Sequence, residues 1–89
     1  MEVSYNARKN AENIRKHGIS LQRAEDFDVT AALYELDDSQ DYGEVRYIAI
    51  GWIDATLYTL TFTQDSDAIR AISLRKATRE EPRRYAKEF

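Results

Sequence analysis

Eighty-nine residues with no cysteine and a single histidine make one domain, 1–89, with one modest core, and they exclude disulfides, thiolate metal sites and a multi-histidine metal centre. No apolar run approaches the roughly 20 residues that cross a bilayer, and Met1-Glu2-Val3-Ser4-Tyr5 lacks a signal-peptide pattern, so the chain reads as cytoplasmic, with no membrane, metal or cofactor expected. The net charge of −3 conceals a segregation: residues 1–23 carry five Lys/Arg against two Glu (+3), residues 24–69 eleven Asp/Glu against Arg46 alone (−10), and residues 70–89 seven Lys/Arg against three Glu (+4). If both termini fold onto one side, a basic face lies opposite an acidic one, and the local field rather than the net charge decides whether a polyanion is attracted.

Taken in order, Glu2 to Tyr5 alternates and suits a brief edge strand. Asn6 is a good N-cap, and Ala7, Ala11 and Ile14 then recur at helical spacing while Arg8, Lys9, Glu12, Arg15 and Lys16 fall elsewhere on the wheel. Gly18 closes this helix as a left-handed C-cap, with Lys16 and His17 at the negative end of the helix dipole. Ser20 caps a second, shorter helix with Leu21, Ala24 and Phe27 inward, broken by Asp28 and Thr30.

From Ala31 the period changes to that of strands: Ala31 to Leu36, Val45 to Ile53, Thr56 to Thr63 and Ala68 to Leu74. Asp54-Ala55 and Gln64-Asp65-Ser66-Asp67 are hairpin-sized connections, so these strands form an antiparallel meander, with Tyr47 to Ile53, apolar on both faces, in a central place. Thr78 and Glu81 have the capping-box form, which starts a basic C-terminal helix near Thr78. Pro82 then falls at the fourth helical position, where its missing N–H costs a bond, so either the helix starts later or its first turn is irregular. The expected fold is α+β, in the order βααββββα, with two N-terminal helices and one C-terminal helix packed on one face of a small antiparallel sheet.

The interpretable chemistry concentrates in Ile72 to Tyr85. Ser73, Arg75 and Lys76 leave the last strand where the helix points its partly positive N-terminus, so strand end and helix start can hold an anion such as a phosphate. The alternative is a solvated basic helix that only closes the domain. His17, beside Lys16, either carries protons near neutral pH or merely completes its helix end. Arg46 and Arg70 converge if their strands are neighbours, and two guanidinium forks suit phosphate oxygens; each is otherwise an ion-paired surface residue, with Asp41, Glu44 and Asp54 as available partners. Tyr85 shares a helix side with Thr78, while Phe89 reads as a docking residue. No Gly-rich phosphate loop, His-x-x-x-His pair or apolar carboxylate pair occurs.

The segment Tyr5 to Ser20, with its Lys16-His17-Gly18 end, together with Ile72 to Glu81, with its Ser73-x-Arg75-x-Ala77-Thr78 corner, and Tyr85, resembles the BrnT-type toxins of type II toxin–antitoxin systems. Arg46 and Gly51 also match that family's central strand. The resemblance implies a RelE-like fold, an endoribonuclease that arrests translation, and a neutralising BrnA-type antitoxin that supplies the contact with operator DNA in a heterotetramer of two toxins and two antitoxins. The chain departs from the family pattern at Tyr5-Asn6, Leu74 and Pro82.

The sequence thus leads to a metal-independent ribonuclease in which a ribose 2′-hydroxyl attacks its own phosphate. Arg46, Arg70 and Arg75 are expected to stabilise the phosphoryl oxygens, Lys16 and His17 to move protons or bind RNA, and Ser73, Lys76, Thr78 and Tyr85 to position the strand. A second reading is an inactive homologue that survives as an antitoxin-binding module, because the acidic middle third suits a basic antitoxin segment better than RNA. Direct DNA recognition has little support, since no helix-turn-helix spacing is evident.

Overall fold

The computed structural model describes residues 2–78 and 80–89; Arg79, one of the basic residues of the C-terminal stretch, lies outside them. Strand β1 (Glu2–Tyr5) leads into helix α1 (Ala7–His17), two short 3-10 segments (Leu21–Asp26 and Val29–Ala31), strands β2 (Leu33–Asp37), β3 (Arg46–Ile53), β4 (Thr56–Asp65) and β5 (Ala68–Lys76), and helix α2 (Glu81–Glu88). The five strands form one mixed sheet in the order β1-β5-β4-β3-β2. β2 to β5 make the expected antiparallel meander, but β1 pairs parallel with β5, Val3 opposite Ile69 and Tyr5 opposite Ala71. The order departs from βααββββα because the second helix is a pair of 3-10 turns: Asp28 breaks the first and caps the second, accepting from Thr30 N at 3.2 Å. β3 is an interior strand, with β4 in the middle of the sheet. No helix of the described residues is long and apolar enough to cross a membrane.

The local signals at the first helix hold. The Asn6 carboxamide oxygen accepts from Arg8 N (2.9 Å) and Lys9 N (3.1 Å), and Gly18 closes the helix at φ 71°. The helix phase does not hold. Ala7, Ala11 and Ile14 face solvent, and the buried residue is Asn13. The reason lies on the last strand: β1 ends opposite Ala71, so the outward N–H and C=O of Leu74 have no ladder partner there. The Asn13 carboxamide replaces the missing strand, accepting from Leu74 N (3.0 Å) and donating to Leu74 O (2.8 Å) and Ile19 O (2.9 Å). Asn10 does the same for the next segment, accepting from Leu21 N at 2.7 Å and from the Ser20 hydroxyl at 3.2 Å. Two buried backbone demands set the helix phase, and the apolar stripe does not.

The core lies between the sheet and the first 3-10 segment, where Leu21, Ala24 and Phe27 pack on Ala49, Ile53, Leu60, Phe62, Ile69, Ala71 and Leu74. Gly51 is required by this packing, since a Cβ there would sit 2.7 Å from the Phe27 ring and 3.1 Å from Ala32 Cβ. Helix α2 does not join the other helices. It covers the opposite face, where the Tyr85 hydroxyl donates to Ala31 O (2.7 Å) and accepts from Trp52 Nε1 (3.0 Å), and Arg84 pairs with Glu35. The expectation of all helices on one face is therefore corrected. Trp52, fixed by register beside Leu57 and carrying the only indole of the chain, is the surface that α2 needs.

Candidate active site

Helix α2 covers only one end of its sheet face, and the open remainder collects most of the residues singled out in the sequence. Register shows why. Thr61 pairs with Ser73 but Phe62 pairs with Ala71, so Ile72 is an extra residue in a β-bulge. Strict alternation would put Arg70 and Ser73 on opposite faces; the bulge shifts the phase by one, and Arg70, Ser73 and Arg75 all emerge on the α2 face. Arg46 joins them from β3, opposite Asp37 on β2.

Arg46 and Arg70 stand on strands separated by β4, and are not neighbours as the sequence reading required. They converge nonetheless, through a carboxylate. Arg46 Nε donates to Glu44 Oε2 at 3.0 Å and Arg70 Nη2 to Glu44 Oε1 at 2.6 Å. The Arg46 guanidinium also lies 3.8 Å from the centroid of the Tyr42 ring, which fixes its plane. Tyr42 is in turn anchored by its hydroxyl to Asp37 Oδ2 (3.2 Å). Hydrogen bonding from Arg46 and the charge of both arginines hold the Glu44 carboxyl below its usual range, so it is ionised at neutral pH. Asp37, opposite Arg46 in register, is held low in part by the same guanidinium, so among the described residues the site sets two guanidiniums against two carboxylates on a partly exposed face.

Lys16 and His17, both exposed, end α1 at the outer edge of β5. With Asn13, Ile72 and Ser73 they line a shallow recess of about 120 Å³. The structure thus brings the Lys16-His17 pair to Ser73, adjoining the arginine face. Lys76 is not part of this group: opposite Tyr58 it emerges on the other face of the sheet, where alternation from Arg75 sends it.

The strand-to-helix corner already holds an anion, and it belongs to the protein. Arg75 Nη1 and Nη2 donate to Glu81 Oε1 and Oε2, both at 2.8 Å, and Thr78 N donates to Glu81 Oε1 at 3.0 Å. This is the carboxylate half of the expected capping box, but the helix starts at Glu81 and not at Thr78, which puts Pro82 in the first turn, where no N–H is missed. Arg75 and Thr78 therefore fasten α2 to the sheet, and Tyr85, with its hydroxyl engaged twice, anchors the middle of the helix. Phe89 stacks on Tyr85 with ring centroids 4.7 Å apart.

Burial raises the Glu81 carboxyl, but the Arg75 fork, the Thr78 N–H and the Thr59 hydroxyl outweigh it and hold it at about 2. The Thr59 hydroxyl is itself buried without a hydrogen-bond partner of ordinary geometry, so it acts on Glu81 as a nearby dipole. Because the folded value lies below the ordinary 4.5, the Arg75–Glu81 link stabilises the fold fully above pH about 4.5 and is lost as pH falls toward 2. Allowing for the partial exposure of Arg75, the link is worth roughly 1–2 kcal/mol. In urea unfolding, the parent is expected to exceed Glu81→Gln by that amount at pH 7 and to lose most of the advantage by pH 3. A difference that stays constant over this range would contradict the assignment.

Sequence reasoning named Glu44 only as one possible partner and missed Asn13, although two asparagines at i and i+3 inside a short helix, where Asn is a poor helix former, are a legible anomaly. Comparison with curated proteins found no match. Residues 5–81 match the profile of one protein family, described as ribonuclease toxin, BrnT, of type II toxin-antitoxin system.

Proposed function

The chain belongs to the BrnT family of ribonuclease toxins of type II toxin–antitoxin systems, and from that premise we propose that it is a metal-independent endoribonuclease that cuts RNA on the open arginine face, stops translation in the cytoplasm and is neutralised by a BrnA-type antitoxin. The observation that carries this reading is the convergence of Arg46 and Arg70 on one carboxylate across an uncovered sheet face. A phosphodiester is also an anion with two oxygens to offer, and each guanidinium has donors left for it, since among the described residues each uses one nitrogen on Glu44. Transphosphorylation by the 2′-hydroxyl needs little more than a fixed phosphate, a proton acceptor and neutralisation of the developing charge.

In this reading Arg46 and Arg70 stabilise the phosphoryl oxygens, Ser73 positions the strand, and Lys16 and His17 take a flanking phosphate or give the leaving oxygen its proton. Arg75, Thr78 and Tyr85 act at one remove, by keeping α2 in place, and Lys76 contacts RNA only where the strand wraps over the β5 edge. Induced expression is expected to halt growth and protein synthesis, and an Arg46→Ala/Arg70→Ala variant that accumulates to the same level is expected to do neither. Unimpeded growth with folded parent protein present would favour the inactive, antitoxin-binding homologue instead.

The antitoxin is proposed to use the other face. Beyond the 3-10 segment, Phe27, Val29, Tyr34, Tyr47, Phe62 and Ile69 line an apolar groove of about 360 Å³, with Asp67 in its wall. Beside it runs the free edge of β2, where Leu36 is 61% exposed. An apolar groove in the segment that carries −10 fits a basic segment with apolar anchors. Assembly then pairs two toxins with two antitoxins, and DNA is touched only through the antitoxin. Leu36→Asp is expected to weaken binding of the co-expressed antitoxin at least tenfold while RNA cleavage stays intact; unchanged binding would place the interface elsewhere.

A further inference from the structure

We infer that Glu44 is the general base of the cleavage reaction, the group that takes the proton from the attacking 2′-hydroxyl. The inference rests on the reading of the Arg46–Arg70 face as the phosphate seat. Each Glu44 oxygen spends one lone pair on one arginine, Oε2 on Arg46 and Oε1 on Arg70, and each retains a second lone pair. The arginines orient the carboxylate without using it up, and each has further N–H groups that Glu44 does not occupy. A phosphate bound to those N–H groups brings its adjacent ribose beside the free lone pairs of Glu44, the order of groups a 2′-hydroxyl attack requires.

The rest of the open face offers no better acceptor. The described residues nearest in register on the strands that carry the face are Thr61, Thr63 and Ser73, hydroxyls that stay protonated at neutral pH, Glu35, which is paired with Arg84, and Asp37, which accepts twice from Ser39 and once from Tyr42 and touches only one of the two arginine strands. Glu81 is enclosed by Arg75 and Thr78 beneath α2. The Glu44 side chain is 29% exposed, open enough to meet a ribose while its two arginines hold it. Its place just before β3, with the Tyr42 ring under Arg46, ties the base and one phosphate-binding group into a single piece of backbone.

The step balances without a further reagent. The 2′-oxygen gives its proton to a Glu44 oxygen and bonds to phosphorus. The P–O5′ bond breaks, and the 5′-oxygen leaves with a proton from solvent or from the Lys16-His17 edge. The products carry a 2′,3′-cyclic phosphate and a 5′-hydroxyl, and Glu44 returns its proton to water.

The test uses the full chain with a mixed-sequence RNA 20-mer as substrate and its all-2′-deoxy counterpart as a non-cleavable probe. Glu44→Gln keeps an oxygen for Arg46 and is expected to lower kcat at least a hundredfold, leave KM and binding of the deoxy probe within about threefold, and be partly rescued in Glu44→Asp, which restores a carboxylate. If Glu44 only orders the arginines, the same variant raises KM and weakens probe binding without the kcat loss; if it only competes with RNA for them, binding and cleavage both improve. Either result overturns the proposal. Cleavage lost in Arg70→Ala but undiminished in Glu44→Gln overturns the role of Glu44 while leaving the phosphate seat standing, and an inert parent protein overturns both.

Discussion

Replacing Arg46 and Arg70 together by alanine is expected to lower RNA cleavage by about a thousandfold or more while the protein stays folded. One donor aimed at a developing oxyanion is worth roughly 10²–10³ in rate, and here two guanidiniums share the task. Their structural share is small by comparison. The ion pairs they make are single hydrogen bonds to Glu44, whose side chain is 29% exposed and is hydrated when they go, so they contribute about 1 kcal/mol each. Arg75→Ala is expected to behave differently. It removes both bonds to Glu81 and strands a carboxylate whose side chain is 16% exposed beneath α2, so melting falls and cleavage is lost only as the helix detaches. Cleavage by the double variant within tenfold of the parent would remove the arginine face from the mechanism.

The second large effect lies in the fold. Asn13→Ala leaves Leu74 N, Leu74 O and Ile19 O without partners in a place where water has little access. Each orphaned group costs about 1–3 kcal/mol, so the expected loss is about 3 kcal/mol or more, enough to lower Tm by roughly 15 °C in a domain of this size. Asn13→Asp is expected to do no better, because a carboxylate accepts from Leu74 N but can donate to neither carbonyl. A Tm within 3 °C of the parent in Asn13→Ala would show that the amide is not the missing strand.

What the sequence revealed and what it withheld divide along physical lines. Local chemistry was readable: Asn6 and Gly18 bound the first helix because capping depends on groups a few residues apart, and Thr78 does meet Glu81. The acidic surroundings of Arg46 made it conspicuous, and it does converge with Arg70. The bulge at Ile72 was not readable, since it depends on how β5 registers with β4, and it decides which face Arg70, Ser73 and Arg75 share. The phase of α1 departs from its apolar spacing for a related reason. Apolar spacing is a good guide when burial is the main demand on a helix, but here the demand is the unpaired edge of β5, some 60 residues away in sequence. The spacing of Thr78 and Glu81 points to a cap and leaves Arg75 free for a phosphate; in the fold one carboxylate serves both Thr78 and Arg75. Placing α2 on the far face from α1 followed from Trp52 and Tyr85, whose hydrogen bond no pattern of spacing announces.

The ends of the cleaved RNA test metal-independent attack by the 2′-hydroxyl most directly. Purified parent protein incubated with the mixed-sequence RNA 20-mer in excess EDTA is predicted to yield fragments with 2′,3′-cyclic phosphate and 5′-hydroxyl ends, read by mass. Intact RNA, cleavage that appears only when a divalent metal is restored, or fragments bearing 5′-phosphates would contradict it.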